Sequence, residues 1–118
     1  MEELSSMKAR EISNAAAEKK AIGVTILDLR ELSTIADYFV IASGTSRPHL
    51  SAIIEAIRDT LKKQGFLPYH QEGDDGSGWV LLDYGDVIVH VLGESERQYY
   101  DLERLWRGAK VISISQSQ

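Results

Sequence analysis

The sequence predicts an α/β (α+β) fold in a single compact domain, a mixed sheet of about five strands flanked by helices. Three observations predict it. The spacing of apolar residues switches between helical and strand-like periods along the chain, with no intervening linker. A length of 118 residues fits one domain and suffices to bury a core without staples. Apolar residues at 43% and charged residues at 26% are ordinary for a globular chain.

Each element has its own local reason. Ser5 or Ser6 caps an alanine-rich helix over roughly residues 6–21, and Gly23 ends it. Residues 24–29 form a strand, 30–36 turn, and 38–43 form a more continuously apolar strand suited to a central position. In the next helix Leu50, Ile53, Ile54, Ile57 and Leu61 share one stripe, while Glu55, Asp59, Lys62 and Lys63 fall outside it. Gly65 stops that helix. Residues 67–72 add a short edge strand, since Pro68 argues against a central place. Residues 74–78 read as a polar turn; their acids beside glycines lack the full ligand series of a calcium loop. Residues 79–91 fold back on themselves at Tyr84-Gly85-Asp86, where glycine supplies a positive φ. An acidic, aromatic helical segment follows over 97–106. The domain is placed at residues 1–108, with 109–118 a tail that is either another edge strand or a frayed end.

Composition excludes several classes. Without cysteine there are no disulfides, thiolate metal sites or Cys nucleophiles. The first residues lack a basic flank and an apolar stretch, and no run approaches the ~20 apolar residues of a membrane span, so a cytoplasmic protein is expected. The net charge of −5 lies entirely in the second half: residues 1–71 balance nine acids with nine bases, whereas 72–118 set nine acids against Arg97, Arg104, Arg107 and Lys110. Nucleic-acid binding needs a basic footprint, so DNA binding is not expected and direct RNA binding should be slight. The acidic half is either a solvated face or a surface for a basic partner.

Candidate chemistry is sparse. Ser43-Gly44-Thr45-Ser46 leaves a strand and enters a helix, resembling the glycine-serine turn with which nucleotidyltransferases hold a triphosphate. Such enzymes also need two carboxylates one residue apart on the following strand, and residues 66–72 contain no such pair. A plain cap at Ser46, with Pro48 in the first turn, explains the same residues. His49 and His70 have no plausible metal ligand beside them, and His90 alternates with Ile88 and Leu92 as a packing residue. No catalytic, cofactor or metal residue is assigned.

Three stretches together carry a resemblance: residues 37–44 (Asp-Tyr-Phe-Val-Ile-Ala-Ser-Gly), 79–91 from Trp79 to Val91, and 99–106 (Tyr-Tyr-Asp-Leu-Glu-Arg-Leu-Trp). In order and spacing, from about residue 5 to 108, the chain resembles the ribosomal silencing factor family, also called RsfS, Iojap or YbeB. Ala42 stands where many members have cysteine, and Gly93-Glu94 replaces the commoner His-Pro. The resemblance implies a nucleotidyltransferase-like fold without the catalytic carboxylates, hence no enzyme activity and no cofactor. It implies binding to the L-fourteen protein of the large ribosomal subunit, a steric block to joining of the small subunit, and translation repression under nutrient limitation. A homodimer is implied as well. The alternatives are a divergent nucleotide-binding or nucleotidyltransferase-like enzyme, or a dimeric adaptor for another basic protein.

Under that resemblance the partner-binding residues are expected on the hairpin and the helix after it. Strand alternation puts Trp79, Leu81 and Asp83 on one face and Val80, Leu82 and Tyr84 on the other. Val80 and Leu82 are expected in the core, with Trp79 and Leu81 at the interface centre. Tyr84, Asp86, Glu94, Tyr99 and Tyr100 would form its rim. Core packing is the competing role for Trp79 and the expected one for Leu102 and Trp106.

Overall fold

A computed structural model describes residues 3–74 and 76–113. The elements in chain order are α1 (Leu4–Glu18), β1 (Ile22–Asp28), β2 (Tyr38–Gly44), α2 (Arg47–Lys63) and β3 (His70–Glu72). They continue with β4 (Trp79–Asp83), β5 (Val87–Gly93), α3 (Glu94–Tyr100), α4 (Leu102–Leu105) and β6 (Lys110–Ser113). The strands make one mixed sheet of six in the order β3-β4-β5-β2-β1-β6, one more than expected. Only β2 and β5 run parallel, and they are the middle pair. Every residue of β2 is buried, as its uninterrupted apolar sequence required. No helix among the described residues is long and apolar enough to cross a membrane.

The sheet is covered unequally. On one face α1 and α2 pack Ala9, Ile12, Ala16, Leu50, Ile53, Ile57 and Leu61 against Val40, Val80, Leu82, Val89 and Val91. The other face holds a smaller cluster in which Leu27, Phe39, Ile41, Ile88 and Leu92 meet Leu102 and Ala109. Trp79, Leu81 and Trp106 lie at its margin, partly buried. Two helices on one side and short helical turns on the other leave this second face incompletely roofed.

Local details both follow and depart from the sequence reading. Ser46 caps α2 by accepting from His49 N–H at 3.2 Å, with Pro48 in the first turn. Gly65, at φ +92°, ends that helix: its N–H donates to Lys62 C=O, and Phe66 N–H donates to Leu61 C=O. The same paired bonds end α1, where Lys20 N–H donates to Ala17 C=O and Ala21 N–H to Ala16 C=O. There the left-handed residue is Lys20 (φ +62°), so Gly23 is not the helix stop that was expected. Gly23 instead supplies the positive φ of a β-bulge where the β1–β2 register shifts between Ile22 and Thr25. The start of α1 differs too. Glu3 occupies the cap position without a side-chain capping bond, its carboxylate pairing with Arg30 instead, and Ser5 and Ser6 lie inside the helix.

Residues 110–113 of the tail do form an edge strand, paired with β1, while the Ile114 and Ser115 of the expected strand lie outside the described residues. The edge strand expected over 67–72 is confined to His70–Glu72, beyond Pro68. In the polar turn, Ser77 N–H donates to Asp74 Oδ1 at 3.0 Å; Asp75 lies outside the described residues. The helical segment after β5 is two helices, broken at Asp101, which adopts a left-handed φ of +50°.

Candidate functional site

Register decides which side chains share the thinly covered face. Residues opposite one another across a sheet point to the same side. The pairings therefore align Glu72, Leu81, His90 and Ile41 in one row. His70, Asp83, Ile88 and Phe39 form the next, and Trp79, Leu92 and Ser43 another. Val80 and Leu82 turn to the helix side and are fully buried, as strand alternation predicts. Trp79 and Leu81 remain half-buried on the opposite face.

An aromatic chain runs across that face. The Trp79 ring lies 4.4 Å from Tyr100, Tyr100 sits edge-on to Tyr99 at 5.0 Å, and Phe39 contacts both His90 (4.6 Å) and Trp106 (5.5 Å). The Trp79 indole N–H donates to His90 Nδ1 at 3.2 Å, which assigns the ring proton of His90 to Nε2. That Nε2 is buried and has no hydrogen-bond partner among the described residues. Burial pushes the imidazole down to about 4, so the ring is neutral near pH 7 and serves as a packing and acceptor group. Its role matches the sequence expectation for His90. Trp106 is half-buried and Leu102 buried, both packed onto this cluster.

The remaining expected site residues divide. Asp83 lies on the Trp79 face, but its Oδ1 accepts from Gly85 N–H at 2.7 Å and shapes the hairpin turn. Tyr84 is not a rim residue: it is 2% exposed, packed in the helix-side core, because it continues the inward alternation of Val80 and Leu82. Asp86 is also displaced from the rim. Its carboxylate pairs at 3.0 Å with Lys8 of α1, whose ammonium also sits 4.5 Å from the centre of the Phe66 ring. Glu94 is exposed at the start of α3. Tyr99 is 81% and Tyr100 46% exposed. Sequence reasoning missed Glu72 and His70, bonded to each other at 2.9 Å beside Leu81 and Asp83, because only the β3–β4 register brings them there.

Arg97 fixes α3 onto the sheet. Its guanidinium donates to Ser43 Oγ, Ile22 C=O and Thr25 Oγ1 and pairs with Glu103. This anchor holds Tyr100 beside Trp79, with Tyr99 edge-on against Tyr100.

The glycine-serine turn opens on a cavity of about 440 Å³ whose walls include Ser46, Arg47, Glu94 and Glu96. Thr45 N–H is spent on His49 Nδ1 at 2.9 Å, and His49 N–H on the Ser46 cap. Two carboxylates facing an already bonded turn disfavour a bound triphosphate. Among the described residues no three His, Asp or Glu side chains converge as a metal site.

Comparison with known proteins bears on the whole chain. The family described as "Ribosomal silencing factor during starvation" matches residues 2–118. A protein named ribosomal silencing factor RsfS from Halalkalibacterium halodurans is 40% identical over 101 residues, covering 86% of each chain. Its namesake in Bacillus subtilis is 40% identical over 100 residues, 85% of each. The chloroplastic protein Iojap of Zea mays is 32% identical over 103 residues, 87% of this chain and 45% of that protein. Among solved structures, a protein from Chromobacterium violaceum superposes with a TM-score of 0.82 at 30% identity, covering 93% of this chain and 92% of the other. One from Bacillus halodurans gives 0.75 at 34% identity, covering 91% and 95%.

Proposed function

Because the chain belongs to the ribosomal silencing factor family, we propose that it represses translation by occupying the joining face of the large ribosomal subunit. It binds the L-fourteen protein there and sterically keeps the small subunit away when nutrients are limiting. The observation that carries this reading is the half-covered strip of Trp79, Leu81 and Tyr100 on the thin side of the sheet. Rigid aromatics at the centre of a patch supply most of the affinity in protein interfaces. Glu72 and Asp83 border the strip, and with the exposed Glu94 at the start of α3 they steer a basic partner toward this surface. Tyr84 and Asp86 take no part, being committed to the core and to Lys8. A homodimer and a cytoplasmic location belong to the same reading, and no catalytic step does.

Order of addition tests the mechanism. Mixed with separated subunits, the protein should slow their association in light scattering and lower translation in a purified system. Added to joined ribosomes, it should do little until they split. An unchanged association rate at saturating protein would rule out occlusion even if large-subunit binding were confirmed.

A further inference from the structure

The acidic surplus of the second half is not spread evenly, and its exception lies beside the aromatic strip. The left-handed turn at Asp101 swings α4 away from the line of α3. A concavity of about 520 Å³ results, walled by Tyr99, Tyr100, Arg104, Leu105 and Arg107 and containing a single acid, Asp101. Tyr99 is 81% and Leu105 72% exposed. Tyr100 braces Tyr99 edge-on at 88°. Arg104 and Arg107 are exposed, and neither guanidinium has an ion pair or hydrogen bond among the described residues. The nearby Glu103 is already spent on Arg97. Of the four bases in residues 72–118, Arg97 is internal, Lys110 lies beside Asp28, and Arg104 and Arg107 at this corner are unpaired among the described residues.

We propose that this corner is an RNA-docking site, taking an unstacked base against Tyr99 and the adjoining phosphates on Arg104 and Arg107. A basic protein is repelled here, which separates the corner from the acid-bordered strip around Leu81. An acidic peptide would also meet the guanidinium groups, but a nucleotide carries in one unit a flat face for Tyr99 and an anionic phosphate for Arg104 and Arg107. RNA meets both demands, because aromatic and arginine faces stack bases while the charges meet phosphate. The deficit of positive charge over the whole half does not apply at this corner. The inference rests on the proposed ribosome docking only for the source of the RNA, a large-subunit loop adjoining the protein partner.

The test compares the full-length protein with R104A/R107A and Y99A, all exposed positions where the fold should persist. Three probes are used: the L-fourteen protein alone, intact large subunits, and a labelled single-stranded oligouridine. Expected for R104A/R107A is unchanged binding to the protein alone and weaker binding to subunits and oligouridine; Y99A, at a residue that also borders the protein interface, is read on oligouridine only. In R104A/R107A the slope of log affinity against log salt should flatten by about 1.4, near 0.7 per lost phosphate contact on a single strand. Y99A should weaken oligouridine binding roughly tenfold with its salt slope unchanged. Equal losses on the isolated protein and on subunits would make the corner a protein contact and overturn the proposal. So would no loss on any probe. If wild-type protein fails to bind subunits, the ribosomal reading falls, and the oligouridine titration alone decides this one.

Discussion

Replacing His90 by glutamine should remove a specific part of the protein's acid sensitivity. The imidazole is 4% exposed and held down to about 4, against 6.5 for a free histidine, because burial penalises its charged form. A base whose folded value is lowered is more readily protonated in the unfolded chain. Stability is therefore highest above the unfolded value and falls as pH drops from about 6.5 toward 4. Between pH 7.5 and 4.5 the loss from this one group comes to about 2.5 kcal/mol, using about 1.36 kcal/mol per pH unit. Protonation also places a proton on Nδ1, which must give up the bond it accepts from Trp79. Glutamine does not titrate and can still accept that bond. Urea unfolding of both proteins at the two pH values isolates the effect, since the carboxylates titrate alike in each. The variant should lose about 2.5 kcal/mol less than the parent on acidification. An identical pH dependence in the two would refute the assignment of a buried, neutral His90.

Three further outcomes are expected. Trp79→Ala should weaken binding to the L-fourteen protein by ~2 kcal/mol or more, and unfolding must be followed in parallel because the change also strips His90 Nδ1 of its donor. If Leu81→Asp leaves binding intact, the strip is not the interface. Asp86→Ala should cost ~2 kcal/mol in urea unfolding, because it strands the Lys8 ammonium, whose side chain is 8% exposed; Lys8→Met in that background should recover most of the loss. Lys20→Gly should raise stability by about 0.5–1 kcal/mol in thermal melts by relieving a left-handed lysine, whereas Gly65→Ala should lower it by about 1 kcal/mol.

What the chain determines unaided is what depends on neighbours a few residues away. The five-residue apolar stripe of α2, the Ser46 cap, the Gly85 turn and the inward alternation of Val80 and Leu82 are set by local dihedral preference and by the period of each element. Even Tyr84 obeyed that period; its place on the rim was drawn from its chemistry, and its position in the strand overrode it. Tertiary structure alone decided the rest. The Asp86–Lys8 pair joins groups 78 residues apart, and Glu72 reaches Leu81 only through a strand pairing. Gly23 became a bulge rather than a helix end because the paired bonds closing α1 form at Lys20 and Ala21. The same holds for charge. Counting acids made the second half uniformly negative, but which bases remain free depends on Arg97 being consumed by Ser43, Thr25 and Glu103 while Arg104 and Arg107 are left to solvent. Composition adds charges without regard to place, whereas a partner responds to those left unpaired on one surface.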